Sequence, residues 1–251
     1  DRKSTRLNSS HVCSISYAVF CLKKKNILFS TIAIVALTPL WIVVVPILKF
    51  TGEGEIFFGQ KRVGRGGETF RLLKFATMLK DSPNIGTGTI TTRDDPRVLP
   101  FGKFLRATKI NELPQLFNVL KGDMSVIGPR PQTQRCFDAF PEAYQREIVK
   151  VRPGLSGAGA VAFRAEDRML ADADSAEAFY DEVIMPYKGA VESWYVAHRD
   201  LWHYFALIGL TCWVIVLPSS TAFWRMFPEL PRPPEALRSY FGLEPAAGTP
   251  G

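Results

Sequence analysis

Histidine is scarce, with three in 251 residues at positions 11, 198 and 203. Histidine-based acid–base catalysis and histidine-ligated metals are therefore poorly supplied. Cysteine is scarce too, at four residues, too few for a disulfide framework. No period of 20–50 residues repeats, which excludes a solenoid. Charged residues make up 22% of the chain, too many for a multi-spanning transporter, and the 47% hydrophobic content is too high for a disordered chain. What is present suffices for one domain of ordinary size plus a membrane element.

The formal net charge of +7 points to nucleic acid or an anionic membrane. The first 25 residues weaken that reading. Asp1 to His11 back-translate to a widely used short-read sequencing adapter, and Ile15 to Leu22 to its continuation. Lys23, Lys24 and Lys25 then match a poly-A tail. Residues 1–25 are therefore expected to be translated adapter fused to a gene that has lost its own start, and are set aside. A signal peptide fits less well, because the apolar stretch is short and ends in lysines. The segment holds six basic side chains and one acidic one, a net of +5, so +2 remains for residues 26–251. No nucleic-acid partner is expected. Of the thiols only Cys136 and Cys212 remain, read as buried; His198 and His203 read as structural.

Ile27 to Leu48 is a run of 22 residues without a charge, long enough as a straight helix to span a bilayer core. Thr38-Pro39 lies at its middle, and Pro39 removes a backbone donor. The run is either a kinked spanning helix or a re-entrant one, with Thr38 available to satisfy a freed carbonyl. Residues 50–200 read as a mixed catalytic domain. Ile56–Phe58 and Phe70–Phe75 suggest short strands, joined by a turn at Gly64, Gly66 and Gly67. Residues 81–92 read as a polar loop. Leu113, Leu116, Phe117 and Leu120 fall at helical spacing, with Asn111 as N-cap and Gly122 as stop. Asp174 to Tyr195 reads as helix, with Ser175 as a cap. Residues 201–224 carry no formal charge and read as a membrane-associated or packing helix. Residues 225–251 read as a Pro-rich tail, irregular from Pro218 onward.

Four stretches carry chemistry. They are Phe57-Phe58-Gly59-Gln60-Lys61-Arg62-Val63-Gly64 with Lys74-Phe75-Ala76-Thr77-Met78; Thr92-Arg93-Asp94-Asp95-Pro96-Arg97; Arg106 through Asn111-Glu112-Leu113-Pro114-Gln115 to Gly122-Asp123; and Gly128-Pro129-Arg130-Pro131 with Pro153-Gly154-Leu155-Ser156-Gly157. Arginine forks match phosphate geometry, carboxylates suit Mg²⁺, and glycines let backbone amides approach an anion. Together they suggest a phosphate-handling site with a metal ion. Taken singly, Asp94-Asp95-Pro96-Arg97 is equally a capped turn, and Lys61-Arg62 a solvated hairpin rim.

In this order and spacing the motifs resemble the bacterial sugar transferase family, monotopic phosphoglycosyl transferases acting on polyprenol phosphate, across roughly residues 26–217. The resemblance implies a mixed α/β fold: a re-entrant membrane helix broken near Thr38-Pro39, and a small α/β catalytic domain with peripheral amphipathic helices. It implies transfer of a sugar-1-phosphate from a UDP-sugar to polyprenol (undecaprenyl) phosphate with release of UMP, at the start of surface polysaccharide synthesis. The expected setting is membrane lipid at the cytoplasmic face of the bacterial inner membrane; a homo-oligomer is left open. In the family an Asp-Glu dyad with Mg²⁺ forms a covalent phosphosugar intermediate.

Glu112 matches the dyad glutamate, and Arg106 and Arg130 the phosphate-contacting arginines; Lys61, Arg62 and Arg97 complete the candidate phosphate-binding set. Glu112 and Asp123 are the candidate Mg²⁺ ligands. Two positions depart from the pattern. Asn111 stands where the dyad has Asp, and Ala76 stands where the family's Lys-Phe-Arg-Thr-Met has Arg. A branch resembling this chain carries Asn-Glu-Leu-Pro-Gln. The nucleophile is then expected to be Glu112, with Asp95 or Asp123 behind it, or else the polyprenol phosphate attacks directly. A catalytically inactive scaffold is the alternative that Asn111 and Ala76 motivate. Asn26 falls where the family has an Asp before its apolar arm.

Overall fold

The computed structural model describes residues 24–82, 95–173 and 175–243. The adapter reading therefore falls outside the described residues except at Lys24 and Lys25, as do most of the polar 81–92 stretch and Asp94.

The described residues begin with helices α1 (Lys24–Ala36) and α2 (Thr38–Thr51), bent by 66° at a break on Leu37. The break lies where Thr38-Pro39 was expected to place it. Pro39 has no N–H to give Val35 O, and the neighbouring carbonyl at the break, Ile34 O, accepts from the Thr38 hydroxyl at 3.2 Å. No single helix among the described residues is long and apolar enough to cross a membrane. Both arms nevertheless leave apolar side chains in the open, among them Leu28, Ile32, Val35 and Ile42. The inner face of α2, Val44 and Leu48, packs on Phe75 and Leu105. Asn26 is buried and fastens the start of α1. Its Oδ1 accepts from Val126 N–H at 3.2 Å and from the Tyr204 hydroxyl at 2.7 Å.

Strands β1 (Phe57–Val63) and β2 (Thr69–Phe75) form an antiparallel hairpin with Phe57 opposite Phe75. The turn between them uses Gly66 and Gly67 at φ of 75° and 79°, a conformation glycine adopts without steric cost. Next come α3 (Pro100–Ala107), a 3₁₀ turn over Ile110–Glu112, α4 (Gln115–Lys121) and β3 (Ser125–Ile127). After α5 (Gln134–Asp138) and α6 (Glu142–Ile148), β4 (Gly154–Ser156) pairs parallel to β3. The rest is helical: α7 (Ala158–Ala162), α8 (Glu166–Ala171), α9 (Ala176–Phe179), a π-helical turn Tyr180–Ile184, α10 (Met185–His198), α11 (Leu201–Val216), α12 (Ala222–Met226) and α13 (Glu235–Arg238). The main core joins α7, α10 and α11 through Val161, Val191 and Leu207. The expected mixture of helix and strand is present.

Gly122 does end α4, in the left-handed region at φ 94°, and the Ser175 hydroxyl does cap α9 by accepting from Ala178 N–H at 3.4 Å. Three expectations need correction. Asn111 is not a helix cap: it sits inside the 3₁₀ turn, and α4 starts four residues later behind Pro114 with no side-chain cap. Over residues 219–243 the segment is not wholly irregular, because α12, α13 and a 3₁₀ turn bury Phe223, Phe227, Leu237 and Phe241 in the main core. Each such side chain contributes about 1.5–3 kcal/mol, enough to hold a proline-rich path in place. Cys212 is exposed and Cys136 half-buried, so neither is a core thiol. Helix α11 buries Tyr204, Leu207, Leu210 and Val214 and exposes Trp202, Phe205 and Trp213 on its other face.

Candidate active site

Backbone-on-backbone packing sets the Gly-Pro-Arg-Pro turn. A Cβ on Gly154 would lie 2.1 Å from Gly128 N, and one on Gly157 2.1 Å from Gly128 O. Only glycine there lets residues 128–131 lie against the 153–157 stretch. Pro129 O accepts from Gly154 N–H at 2.8 Å, and Pro131 O from Arg62 Nη1 at 3.3 Å. Arg62 Nη2 donates to Gln60 Oε1 at 2.7 Å.

Glu112 is placed from the other side. Lys109 adopts the left-handed region at φ 59°, which costs a non-glycine residue roughly 1–2 kcal/mol and turns the chain from α3 into the Ile110–Glu112 turn. Helix α4 is then docked on β2 by Asn118. Its Nδ2 donates to Arg71 O at 2.8 Å, and its Oδ1 accepts from Leu73 N–H at 2.9 Å.

Between these elements lies a cavity of about 610 Å³, the size of a small-molecule site. Among the described residues seven cationic side chains line it (Arg62, Arg71, Lys74, Lys80, Arg106, Lys109 and Arg130) against two carboxylates, Glu55 and Glu112. Glu112 Oε1 lies 3.4 Å from Arg130 Nη2 and 3.8 Å from Lys74 Nζ. Burial pushes the Glu112 carboxyl up, but Arg130, Lys74 and Lys109 outweigh it and leave it below the usual carboxylate range. Lys74 is pushed down to about 8, by burial first and then by Arg130, Arg62 and Arg106, with Glu112 opposing. Burial, followed by Arg130, lowers Arg62 from its ordinary value. The cavity thus holds an ionised carboxylate in a cationic field, suited to a polyanion.

Of the residues singled out in the sequence, the cavity gathers Arg62, Arg106, Arg130, Asn111 and Glu112. It does not gather Lys61, which is exposed on β1. Asp95 and Arg97 also lie outside its lining. They form a buried ion pair at 2.5 Å, and Arg97 Nη1 donates to Ser82 O at 2.7 Å, bracing the 79–82 rim. Asp123 lies apart from Glu112, beside Asn118 Nδ2 at 3.3 Å and Lys121 at 3.2 Å. Sequence reading missed Lys74, Arg71, Lys80 and Lys109 as site residues. Lys74 stood in a quoted motif, and only strand pairing opposite Phe58 shows that it borders the cavity.

No three histidine, cysteine, aspartate or glutamate side chains converge as a metal centre among the described residues. Mg²⁺, however, takes one or two protein oxygens and completes its shell with substrate phosphates and water. Asn111 Oδ1 is buried without a hydrogen-bond partner, next in the chain to the ionised Glu112. One carboxylate and one orphaned amide oxygen on the cavity wall fit such an ion; Asp123 does not join them.

A cavity lined mostly by cations around the Glu112 carboxylate, in a chain that also carries a bent apolar helix pair, suits a phosphate-bearing ligand. The chain belongs to the bacterial sugar transferase family, whose model matches residues 19–218. The match begins inside the stretch read as adapter. Among similar proteins is the exopolysaccharide production protein ExoY of Sinorhizobium fredii, 39% identical over 149 residues, 53% of this chain and 64% of the relative. Another is the UDP-N-acetylgalactosamine-undecaprenyl-phosphate N-acetylgalactosaminephosphotransferase of Aeromonas hydrophila, 42% identical over 142 residues, 55% of this chain and 33% of the relative. The undecaprenyl-phosphate glucose phosphotransferase of Komagataeibacter xylinus is 38% identical over 133 residues, 51% of this chain and 25% of the relative. The chain therefore spans less than two thirds of the length of each.

Proposed function

We propose that this protein moves a sugar-1-phosphate from a UDP-sugar to polyprenol phosphate, releasing UMP, as an early membrane step of surface polysaccharide synthesis. The observation that carries the reading is the surplus of cavity cations over carboxylates around Glu112, in a chain of this family. The names of the Aeromonas and Komagataeibacter relatives, both undecaprenyl-phosphate phosphotransferases, support the acceptor.

Arg62, Lys74, Arg106 and Arg130 bind the diphosphate and neutralise charge on the transferring phosphoryl group. Both protein contacts on Glu112 fall on Oε1, which leaves Oε2 as the nucleophilic oxygen. Oε2 attacks the sugar-bearing phosphorus, and the bond to the bridging oxygen breaks. UMP leaves with that electron pair, and an acyl-phosphate-linked sugar remains on Glu112. An oxygen of polyprenol phosphate then attacks the same phosphorus and returns Glu112 as carboxylate. Mg²⁺, held by Glu112 and Asn111 Oδ1 with substrate oxygens, would add positive charge at the diphosphate.

The bent pair α1–α2 is read as a re-entrant element. Its open apolar side chains, with Trp202 and Phe205 of α11, meet lipid at the cytoplasmic face of the inner membrane. The test is UMP release from a panel of UDP-sugars by the purified full chain with undecaprenyl phosphate and Mg²⁺. Release that needs the acceptor lipid and disappears in Glu112→Gln supports the proposal. Release from none of the sugars overturns it in favour of a scaffold.

A further inference from the structure

Glu192 is the most deeply buried carboxylate with no part in the chemistry above. It is 1% exposed at the centre of α10. Burying a carboxylate is costly unless its oxygens are paired, and Glu192 Oε2 has no hydrogen-bond partner. The nearest cation on its own helix, Lys188, is already bound to Glu166 Oε2 at 2.5 Å. A salt bridge therefore does not explain why a carboxylate stands here.

The paired oxygen, Oε1, accepts from the backbone N–H of Arg130 at 2.9 Å, and the Gly159 backbone also faces the carboxyl. Arg130 lies between Pro129 and Pro131, neither of which has an N–H. Its amide is thus the only backbone donor of the Pro-Arg-Pro triplet. The carbonyls on either side are held separately, Pro129 O by Gly154 N–H and Pro131 O by Arg62. Glu192 anchors the Arg130 backbone, while Glu112 meets its guanidinium. Helix α7 makes room for it: a Cβ on Gly159 would come within 2.3 Å of Glu192 Oε1, although Gly159 is not among the positive-φ glycines. Glycine is needed at 159 for space alone, and that space is filled by the carboxylate.

We infer that Glu192 is a positioning residue, whose Oε1 fixes the Arg130 backbone so that the guanidinium stands against Glu112 at the cavity wall. It touches no substrate. A displacement of about 1 Å in such a group costs on the order of 100-fold in rate. The inference rests on the transferase reading above, through the role of Arg130.

The test is steady-state UMP release, resolved into kcat and KM, by the full chain and by Glu192→Gln and Glu192→Leu, each also made with Arg130→Ala. Gln keeps an acceptor oxygen at the same place and is expected to stay within about threefold of the unmodified protein. Leu removes the acceptor at similar volume and is expected to lose on the order of 100-fold in kcat/KM. Beside Arg130→Ala, the Leu change should cost nothing further, because its effect runs through Arg130. A folded Leu variant within threefold of the unmodified protein overturns the inference. A loss of equal size with or without the Arg130 side chain also overturns it. If the Leu variant does not fold, Gly159→Ala takes its place, since the added methyl displaces Oε1 and leaves the charge; the same outcomes decide. An unmodified protein that releases no UMP defeats the transferase reading and this inference together, whereas an active one with an indifferent Glu192 defeats the inference alone.

Discussion

Lys74 Nζ, on the second strand of the hairpin, stands 3.8 Å from Glu112 Oε1. Each shifts the other's protonation. The ammonium holds the carboxyl low, while the carboxylate resists the burial that draws the ammonium down to about 8. Removing the cation by Lys74→Met should weaken the hold on a diphosphate. A charge-assisted hydrogen bond is worth about 1.5–3 kcal/mol, so the KM for the UDP-sugar is expected to rise by roughly 10- to 100-fold. Steady-state UMP release, with UDP binding by calorimetry, measures it; an unchanged KM would remove Lys74 from the phosphate site.

Glu112→Gln keeps the side chain's shape and removes the nucleophile. Turnover is expected to fall by at least about 1,000-fold, and a sugar-phosphate label from radiolabelled UDP-sugar should no longer stay on the denatured chain. A label that survives the change would mean that another group is attacked, and residual turnover with no label in either protein would favour direct attack by the lipid phosphate.

Arg97 and Asp95 are both buried, and Arg97 carries the rim through Ser82. Arg97→Met leaves the Asp95 carboxylate without its guanidinium. Removing one side of a buried pair leaves the other charge poorly compensated, so the melting temperature is expected to drop by several degrees. Calorimetry decides; a drop within one degree, with KM strongly raised, would return Arg97 to the substrate-binding set.

Burial pushes the Glu192 carboxyl up to about 7, against bonds from the Arg130 and Gly159 amides and the charge of Lys188; Tyr195 also faces it. An acid with a raised pKa keeps its proton longer in the folded protein. The contribution of this group to stability is therefore greatest below about pH 4.5, falls as pH rises toward 7, and is flat above. The fall attributable to this group is of the order of 3 kcal/mol. Glu192→Gln should match the unmodified protein at pH 4.5 and melt higher at pH 8. Parallel melting curves at both pH values would contradict the assignment.

Local features were readable from residue order alone. The Gly66-Gly67 turn, the Gly122 stop, the Ser175 cap and the break at Thr38-Pro39 each depend on a few neighbours, and each is found where it was expected. The motif residues Arg62, Arg106, Arg130 and Glu112 also meet. What escaped depends on pairing across the chain. Lys74 reaches Glu112 only because β2 lies beside the 3₁₀ turn. The role of Asn118 is set by β2, 45 residues or more away in sequence. Asn111 has the chemistry of a cap, yet the chain passes into α4 only four residues later. Asp123 follows Glu112 closely in sequence, but α4 separates them. The proline-rich segment after residue 218 looked loose because composition does not reveal that its aromatics find a core.

The double bond from Asn118 to Arg71 and Leu73 fixes where α4 may stand, and so makes the interval from Glu112 to Asn118 a measured length. Each residue added to or removed from that interval would swing the carboxylate about 100° around the helix axis, away from Lys74 and Arg130. Substitutions within Leu113–Phe117 are therefore more tolerable than any change in their number. Length variation among relatives should be found outside this interval.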